Sequence, residues 1–164
     1  MTALPIRIIP PPPPGYSWES LMREAIAEAA LARDAGEIPV GALVLSGDGN
    51  ILARTGNAVE RLGDPTAHAE ILALRTAASK VGNYRLEGCV LLSTLEPCLM
   101  CAGALVHARV AGLVYGAADL KAGCVSSCLE GLDFPFLNHR VWHMGGVAID
   151  ACAGLLYDFF ARRR

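Results

Sequence analysis

With 164 residues, 53% of them hydrophobic and only 18% charged, the chain fits one domain on the apolar side of ordinary globular composition. Its formal net charge of −2 excludes a global field that would draw it to nucleic acid, so any such contact has to come from a local patch. The longest apolar stretch, Cys98 to Ala118, is broken by His107 and Arg109 and falls short of the roughly 20 clean residues of a membrane span, so no membrane partner is expected.

Residues 1–15 contain the run Pro10-Pro11-Pro12-Pro13-Pro14 and no apolar stretch followed by a small-residue cleavage site. They read as an extended or disordered lead-in to a domain over 16–164, because consecutive prolines lack backbone donors and favour polyproline II. Six cysteines without a secretory signal point to a reducing, cytoplasmic setting, with Cys89, Cys124, Cys128 and Cys152 as free thiols.

Ser17 is placed to cap a helix to about Ala35, with Leu21, Ala25, Ala29 and Ala32 along one stripe and Gly36 as its stop. Val40 to Leu45 and Ile51 to Thr55 are strand-like and separated by Gly47-Asp48-Gly49-Asn50, which predicts a β-hairpin. Asp64-Pro65-Thr66 supplies cap residues for a second helix over Ala67 to Val81, ended by Gly82. Val90 to Thr94 is a short strand, and Pro97 opens a third helix through about Arg109. Gly112 to Ala117 and Val141 to Met144 read as two further strands, and Ile149 to Arg162 as the closing helix. Cys124 and Cys128, four apart, would share a face if their segment were helical. This alternation predicts an α/β fold with a mixed, largely parallel five-stranded sheet covered by helices on both faces. In such a fold the site is built at the carboxyl ends of the strands.

Two short motifs carry the chemistry. His68-Ala69-Glu70 and Pro97-Cys98-Leu99-Met100-Cys101 together read H-x-E…P-C-x-x-C. One imidazole and two thiolates suit Zn²⁺, and three protein ligands leave a fourth tetrahedral position open, as catalysis requires. A structural zinc site would need a fourth ligand, and the chain has only one C-x-x-C. A redox pair is the other alternative, but it needs no upstream H-x-E. Glu70 is the right kind of group to shuttle a proton. In a regular helix it would stand about 200° from His68, so it is expected to face substrate and not to ligate metal.

The segments Glu37-Ile38-Pro39-Val40-Gly41-Ala42, Asp64 to Glu70, Asn83 to Leu86, Thr94 to Ala104, Asn138-His139-Arg140 and Asp158-Phe159-Phe160, with Asn57, resemble the bacterial tRNA-specific adenosine deaminases of the cytidine deaminase superfold. The motif H-x-E…P-C-x-x-C by itself implies only a zinc deaminase. The resemblance implies a three-layer α/β/α fold and a homodimer with one Zn²⁺ per subunit. It further implies hydrolytic conversion of adenosine to inosine at the wobble position of a tRNA anticodon stem-loop. His68, Cys98 and Cys101 would hold the metal, Glu70 would move protons and Asn57 would hold the purine edge. It extends RNA contacts to Asp119, Lys121, Asn138, His139, Phe160 and Arg162. On residue chemistry alone, Asn138-His139 would equally cap a turn, Phe159 or Phe160 would equally be core, and Arg162-Arg163-Arg164 would equally be a solvated helix end. Ala118 stands where relatives often carry a basic residue, which implies a differently distributed RNA surface. A deaminase of free guanine, cytosine or cytidine is the alternative from the same chemistry, and a non-enzymatic zinc module that binds RNA is the alternative from another class.

Overall fold

The computed structural model describes residues 8–164; the first seven residues of the expected lead-in lie outside it. Residues 8–13 form neither helix nor strand, and Pro13 accepts a hydrogen bond from the Tyr16 amide at 3.1 Å. Helix α1 (Trp18–Asp34) starts on a capping box in which Ser17 and Ser20 exchange hydrogen bonds. It ends at Ala35, followed by Gly36 at φ +85.

A hairpin of β1 (Gly41–Leu45) and β2 (Ile51–Gly56) follows, then a single helical turn, α2 (Val59–Leu62), that the sequence pattern did not announce. Helix α3 (Ala69–Val81) leads to β3 (Val90–Leu95), α4 (Leu99–His107), β4 (Gly112–Ala117), β5 (Trp142–Met144) and α5 (Ile149–Ala161). The five strands lie in the order β2-β1-β3-β4-β5. β1 is antiparallel to both of its neighbours, whereas β3, β4 and β5 pair in parallel. Four strands therefore run one way and β1 runs against them, so only two of the four pairings are parallel, fewer than "largely parallel" implies.

Both faces of the sheet are buried, and side chains alternate between them. Ala42, Val44, Leu91, Leu113 and Tyr115 pack with α3 and α4; Leu43, Leu45, Val90, Leu92 and Val114 pack with α1 and α5. These are the three expected layers. Helix α1 lies close enough to the hairpin that a Cβ at Gly41 would strike the Ala25 carbonyl. The small stripe of Ala25, Ala29 and Ala32 permits this approach.

Two helix starts differ from the sequence expectation. α3 begins at Ala69 and not Ala67, because Asp64 caps a turn of its own, accepting from the Thr66 amide at 2.8 Å and its hydroxyl at 2.7 Å. α4 begins at Leu99 and not Pro97, and it ends at His107 before Arg109 takes a left-handed φ of 59. Both metal-motif leaders, His68 and Cys98, therefore sit at N-cap positions with extended backbone. The 200° separation between His68 and Glu70 does not apply, since His68 is not helical. No helix forms around Cys124 and Cys128 either: Cys124 is buried and Cys128 exposed, in a segment of turns.

Candidate active site

The loops after β2, β3 and β4, and the residues leading into the opposed β1, meet at one edge of the sheet. They enclose a cavity of about 310 Å³ lined by Ile38, Val40, Asn57, His68, Glu70, Leu95, Cys98 and Asp119, with Glu37 and Glu96 in its walls.

At its floor, His68 Nδ1 lies 3.7 Å from Cys98 Sγ and 3.6 Å from Cys101 Sγ. Among the described residues, these three form the group whose ligand atoms lie within 4.8 Å of one another. The fit to zinc is geometric: Zn–S of about 2.3 Å and Zn–N of about 2.0 Å at tetrahedral angles separate sulfur from nitrogen by about 3.5 Å. Local structure explains the convergence. Cys98 is the N-cap of α4 and Cys101 its third residue, the two positions that normally exchange hydrogen bonds in a capping box. His68 is the N-cap of α3, and its side chain makes no cap bond to that helix. Positions usually given to Ser, Thr, Asp or Asn are here given to metal donors.

Electrostatics agree. The hydrogen bond from Cys101 drives the Cys98 thiol down to about 4 against the opposing effect of burial, with His68 assisting. That same bond, reinforced by burial, raises Cys101, and the bond to Cys98 raises His68. The pocket thus holds one thiolate and protons that a divalent cation would displace. Glu70, second in α3 and only 4% exposed, is raised above the ordinary carboxylate range, chiefly by burial. Its carboxyl also reaches the Cys101 thiol.

Two acids that the sequence reading did not single out organise the walls. Glu96, 2% exposed between β3 and the α4 cap, accepts from the Asp119 amide at 3.0 Å and from the Val125, Ser126 and Ser127 amides at 3.1, 2.8 and 2.9 Å. The Ser127 hydroxyl also donates to it. Burial pushes its pKa up, but the bonds from Ser127, Ser126 and Asp119 outweigh that and hold it below the ordinary carboxylate range. A Cβ at Gly123 would strike this carboxylate, so glycine is required there. Glu37, 1% exposed, accepts from the Glu60 and Arg61 amides at 3.2 and 2.7 Å and from Asn57 Nδ2 at 3.5 Å. The only local hint of either role is an acid set within an apolar approach to a strand or a ligand.

The cavity brings together His68, Glu70, Cys98, Asn57 and Asp119, with Cys101 buried behind them. Lys121 lies outside it and is exposed, its amide donating to Asp119 Oδ1 at 3.0 Å. Asn138 and His139 lie at the opposite end of β4: the His139 ring meets the Val110 carbonyl at 2.7 Å, and the Asn138 carbonyl accepts from Arg109 at 3.4 Å. Phe160 is half exposed on α5 and sets its ring edge-on to the buried Phe159, and Arg162 is the exposed C-cap. Arg163 is engaged within the fold, 4.0 Å over the Phe159 ring and donating to the Gly36 carbonyl at 3.0 Å.

The zinc-binding region of cytidine and deoxycytidylate deaminases matches residues 16–117. The tRNA-specific adenosine deaminase of Haemophilus influenzae is 44% identical over 146 residues, covering 89% of this chain and 84% of that one. A solved structure from work on A-to-I editing by tRNA:A34 deaminases at the wobble position superposes with a TM-score of 0.81 at 41% identity, over 84% of this chain and 99% of that one. The guanine deaminase of Nitrosomonas europaea superposes with a TM-score of 0.73 at 26% identity, over 97% of each chain. With that family model over more than half of the chain and relatives above 40% identity over most of it, the chain belongs to the tRNA-specific adenosine deaminases, within the zinc-binding cytidine and deoxycytidylate deaminase family.

Proposed function

We propose that this protein converts adenosine to inosine at the wobble position of a tRNA anticodon, by hydrolysis at a zinc site held by His68, Cys98 and Cys101. The observation that carries the reading is the placement of Glu70, buried and raised in pKa, beside that donor set in a cavity whose wall presents the Asn57 amide. Zinc bound there supplies a Lewis acid that lowers the pKa of water toward neutrality. Glu70 would carry the proton traffic: its carboxylate takes a proton from the attacking water and delivers it to the ring nitrogen beside the reacting carbon, then takes the proton of the newly added hydroxyl and delivers it to the amine, which leaves as ammonia and returns Glu70 to its starting form. Burial raises its pKa above the ordinary carboxylate range, which makes it a stronger base toward that water than an exposed acid. Asn57 orients the base, and the apolar walls of Ile38, Val40 and Leu95 limit water around it. A recessed cavity of this size takes one base out of its stack, which suits a single-stranded anticodon loop better than duplex.

The reading extends to one zinc per subunit, a homodimer, residues 16–164 acting as the deaminase domain, and a cytoplasmic setting. Exposed apolar Leu99 on α4 supports subunit contact. Asp119 closes the wall beside the base; Lys121, Phe160 and Arg162, all exposed, are assigned to the flanking RNA. Asn138 and His139, a full strand away from the cavity of their own chain, are assigned to RNA bound at the second subunit. A free guanine deaminase is the second reading, favoured by the superposition on the Nitrosomonas enzyme. The test is incubation of zinc-loaded protein with an anticodon stem-loop carrying adenosine at the wobble position, followed by nucleoside analysis. Inosine is expected; unchanged adenosine together with conversion of guanine to xanthine would replace this reading with the second.

A further inference from the structure

We propose that Glu37 is a positioning residue that locks the orientation of the Asn57 amide and thereby sets which purine edge the cavity accepts; the inference rests on the adenosine deaminase reading. Both residues are buried, at 1% and 7% exposure, and both backbones are pinned: the Glu37 amide donates to Ala32 at 2.9 Å and the Asn57 amide to Val40 at 2.9 Å. Residue 36 is also held, by Arg163 on its carbonyl. The Glu37 carboxylate is fixed in turn by the Arg61 and Glu60 amides at 2.7 and 3.2 Å.

Against that fixed carboxylate, an asparagine amide has one favourable orientation. Nδ2 faces Glu37, at 3.5 Å, because the flipped form would set Oδ1 against an acceptor. A primary amide carries two Nδ2 hydrogens. The one anti to Oδ1 points back along the side chain, and if it serves Glu37, the other hydrogen and Oδ1 stand side by side. That donor–acceptor pair is the complement of an adenine edge, whose N7 accepts and whose exocyclic amine donates. The same edge of guanine carries two acceptors, N7 and O6, and would meet Oδ1 with repulsion. Glu37 never touches the base, yet it decides what Asn57 offers.

Glu37→Gln reverses the decision. A glutamine that keeps its oxygen on the Arg61 amide turns Nε2 toward Asn57 and the Glu60 amide, so the flipped Asn57, with Oδ1 facing residue 37, becomes the favoured form. The test is a two-by-two kinetic comparison of wild type and Glu37→Gln on an anticodon stem-loop carrying adenosine or 7-deazaadenosine, in which carbon replaces the N7 acceptor. For wild type, the 7-deaza substitution should raise KM on the order of tenfold. Glu37→Gln should keep its zinc and a kcat within about threefold of wild type, raise KM for the normal substrate on the order of tenfold, and lose most of the 7-deaza penalty. A purely structural Glu37 would lower stability while leaving the penalty intact, and that result overturns the proposal. So does a wild type that forms inosine with no 7-deaza penalty. Should Glu37→Gln lose zinc, Glu37→Asp takes its place: it withdraws the carboxylate by one methylene, and the same loss of N7 sensitivity is expected. A wild type that forms no inosine at all contradicts the functional reading instead, so the two failures are distinct.

Discussion

His68 Nδ1 stands 3.7 Å from Cys98 Sγ, with each residue at the N-cap of its own helix. The pair is preorganised for a metal. Cys98 is held down at about 4, chiefly by the bond from Cys101; the same bond raises Cys101, which keeps its proton at neutral pH, and the bond to Cys98 raises His68 toward its protonated form. Zinc binding near neutral pH should therefore release about one to two protons, and affinity should rise with pH. Calorimetric titration of the metal-free protein in two buffers of different ionisation enthalpy measures this. Binding without proton release would contradict the protonation pattern.

Glu70→Gln should abolish deamination while zinc stays bound, with a loss on the order of 10²–10⁴ in kcat and more if both proton transfers depend on it. Its effect on stability has the opposite sign. Because burial raises the folded-state pKa of Glu70, its carboxylate costs stability as pH rises through that value. A neutral glutamine of similar shape should leave the melting temperature at neutral pH equal to or above that of wild type. A clear drop in melting temperature would show Glu70 to be a structural acid.

Glu96 predicts the reverse dependence. Its folded pKa is depressed, so the native state binds fewer protons than the unfolded chain. The stabilisation is fully present above the ordinary carboxylate value and is lost as pH falls through the folded one. Glu96→Gln, which keeps one acceptor but turns an amide toward backbone donors, should cost about 2 kcal/mol at neutral pH. Urea unfolding across pH should show that difference shrinking toward zero in acid. A constant difference would mean that its charge is irrelevant to the Val125–Ser127 clamp.

How far the sequence could be read depended on range. The metal motif was legible because N-cap and third-residue positions are local, so the spacing of Cys98 and Cys101 determines their convergence. The strand over Gly112–Ala117 was legible from its unbroken apolar run, and α1 from its serine cap and alanine stripe. Asp64 and Thr66 misled because an Asx turn and a helix cap use the same side-chain chemistry. Glu37 and Glu96 were not legible: their partners are backbone amides 23 to 31 residues away, which leave no periodic trace. The turns around Cys124 and Cys128 depend on Glu96, so the four-residue spacing of these cysteines carried no sign of their conformation. Nothing local tells which end of β4 Asn138 and His139 will reach.

The C-terminal arginines divide into two kinds. Arg163 is spent on Phe159 and the Gly36 carbonyl, leaving Arg162 and Arg164 as the exposed pair for phosphate. Replacing Arg162 and Arg164 with alanine should weaken stem-loop binding and flatten the slope of log affinity against log salt by about 1.5, with kcat at saturation little changed. Arg163→Ala should lower the melting temperature and leave that slope unchanged. Fluorescence anisotropy at several salt concentrations separates the two, and equal slopes for wild type and the double variant would place the RNA surface elsewhere.

The most direct measurement is a competition in one vessel: zinc-loaded protein, an anticodon stem-loop with adenosine at the wobble position, and free guanine, adenosine and cytidine, with products identified by mass spectrometry over time. The account predicts inosine in the stem-loop at the wobble position, formed well before any free base or nucleoside is consumed, and none with Glu70→Gln. Xanthine or uridine accumulating while the stem-loop adenosine stays intact would contradict it.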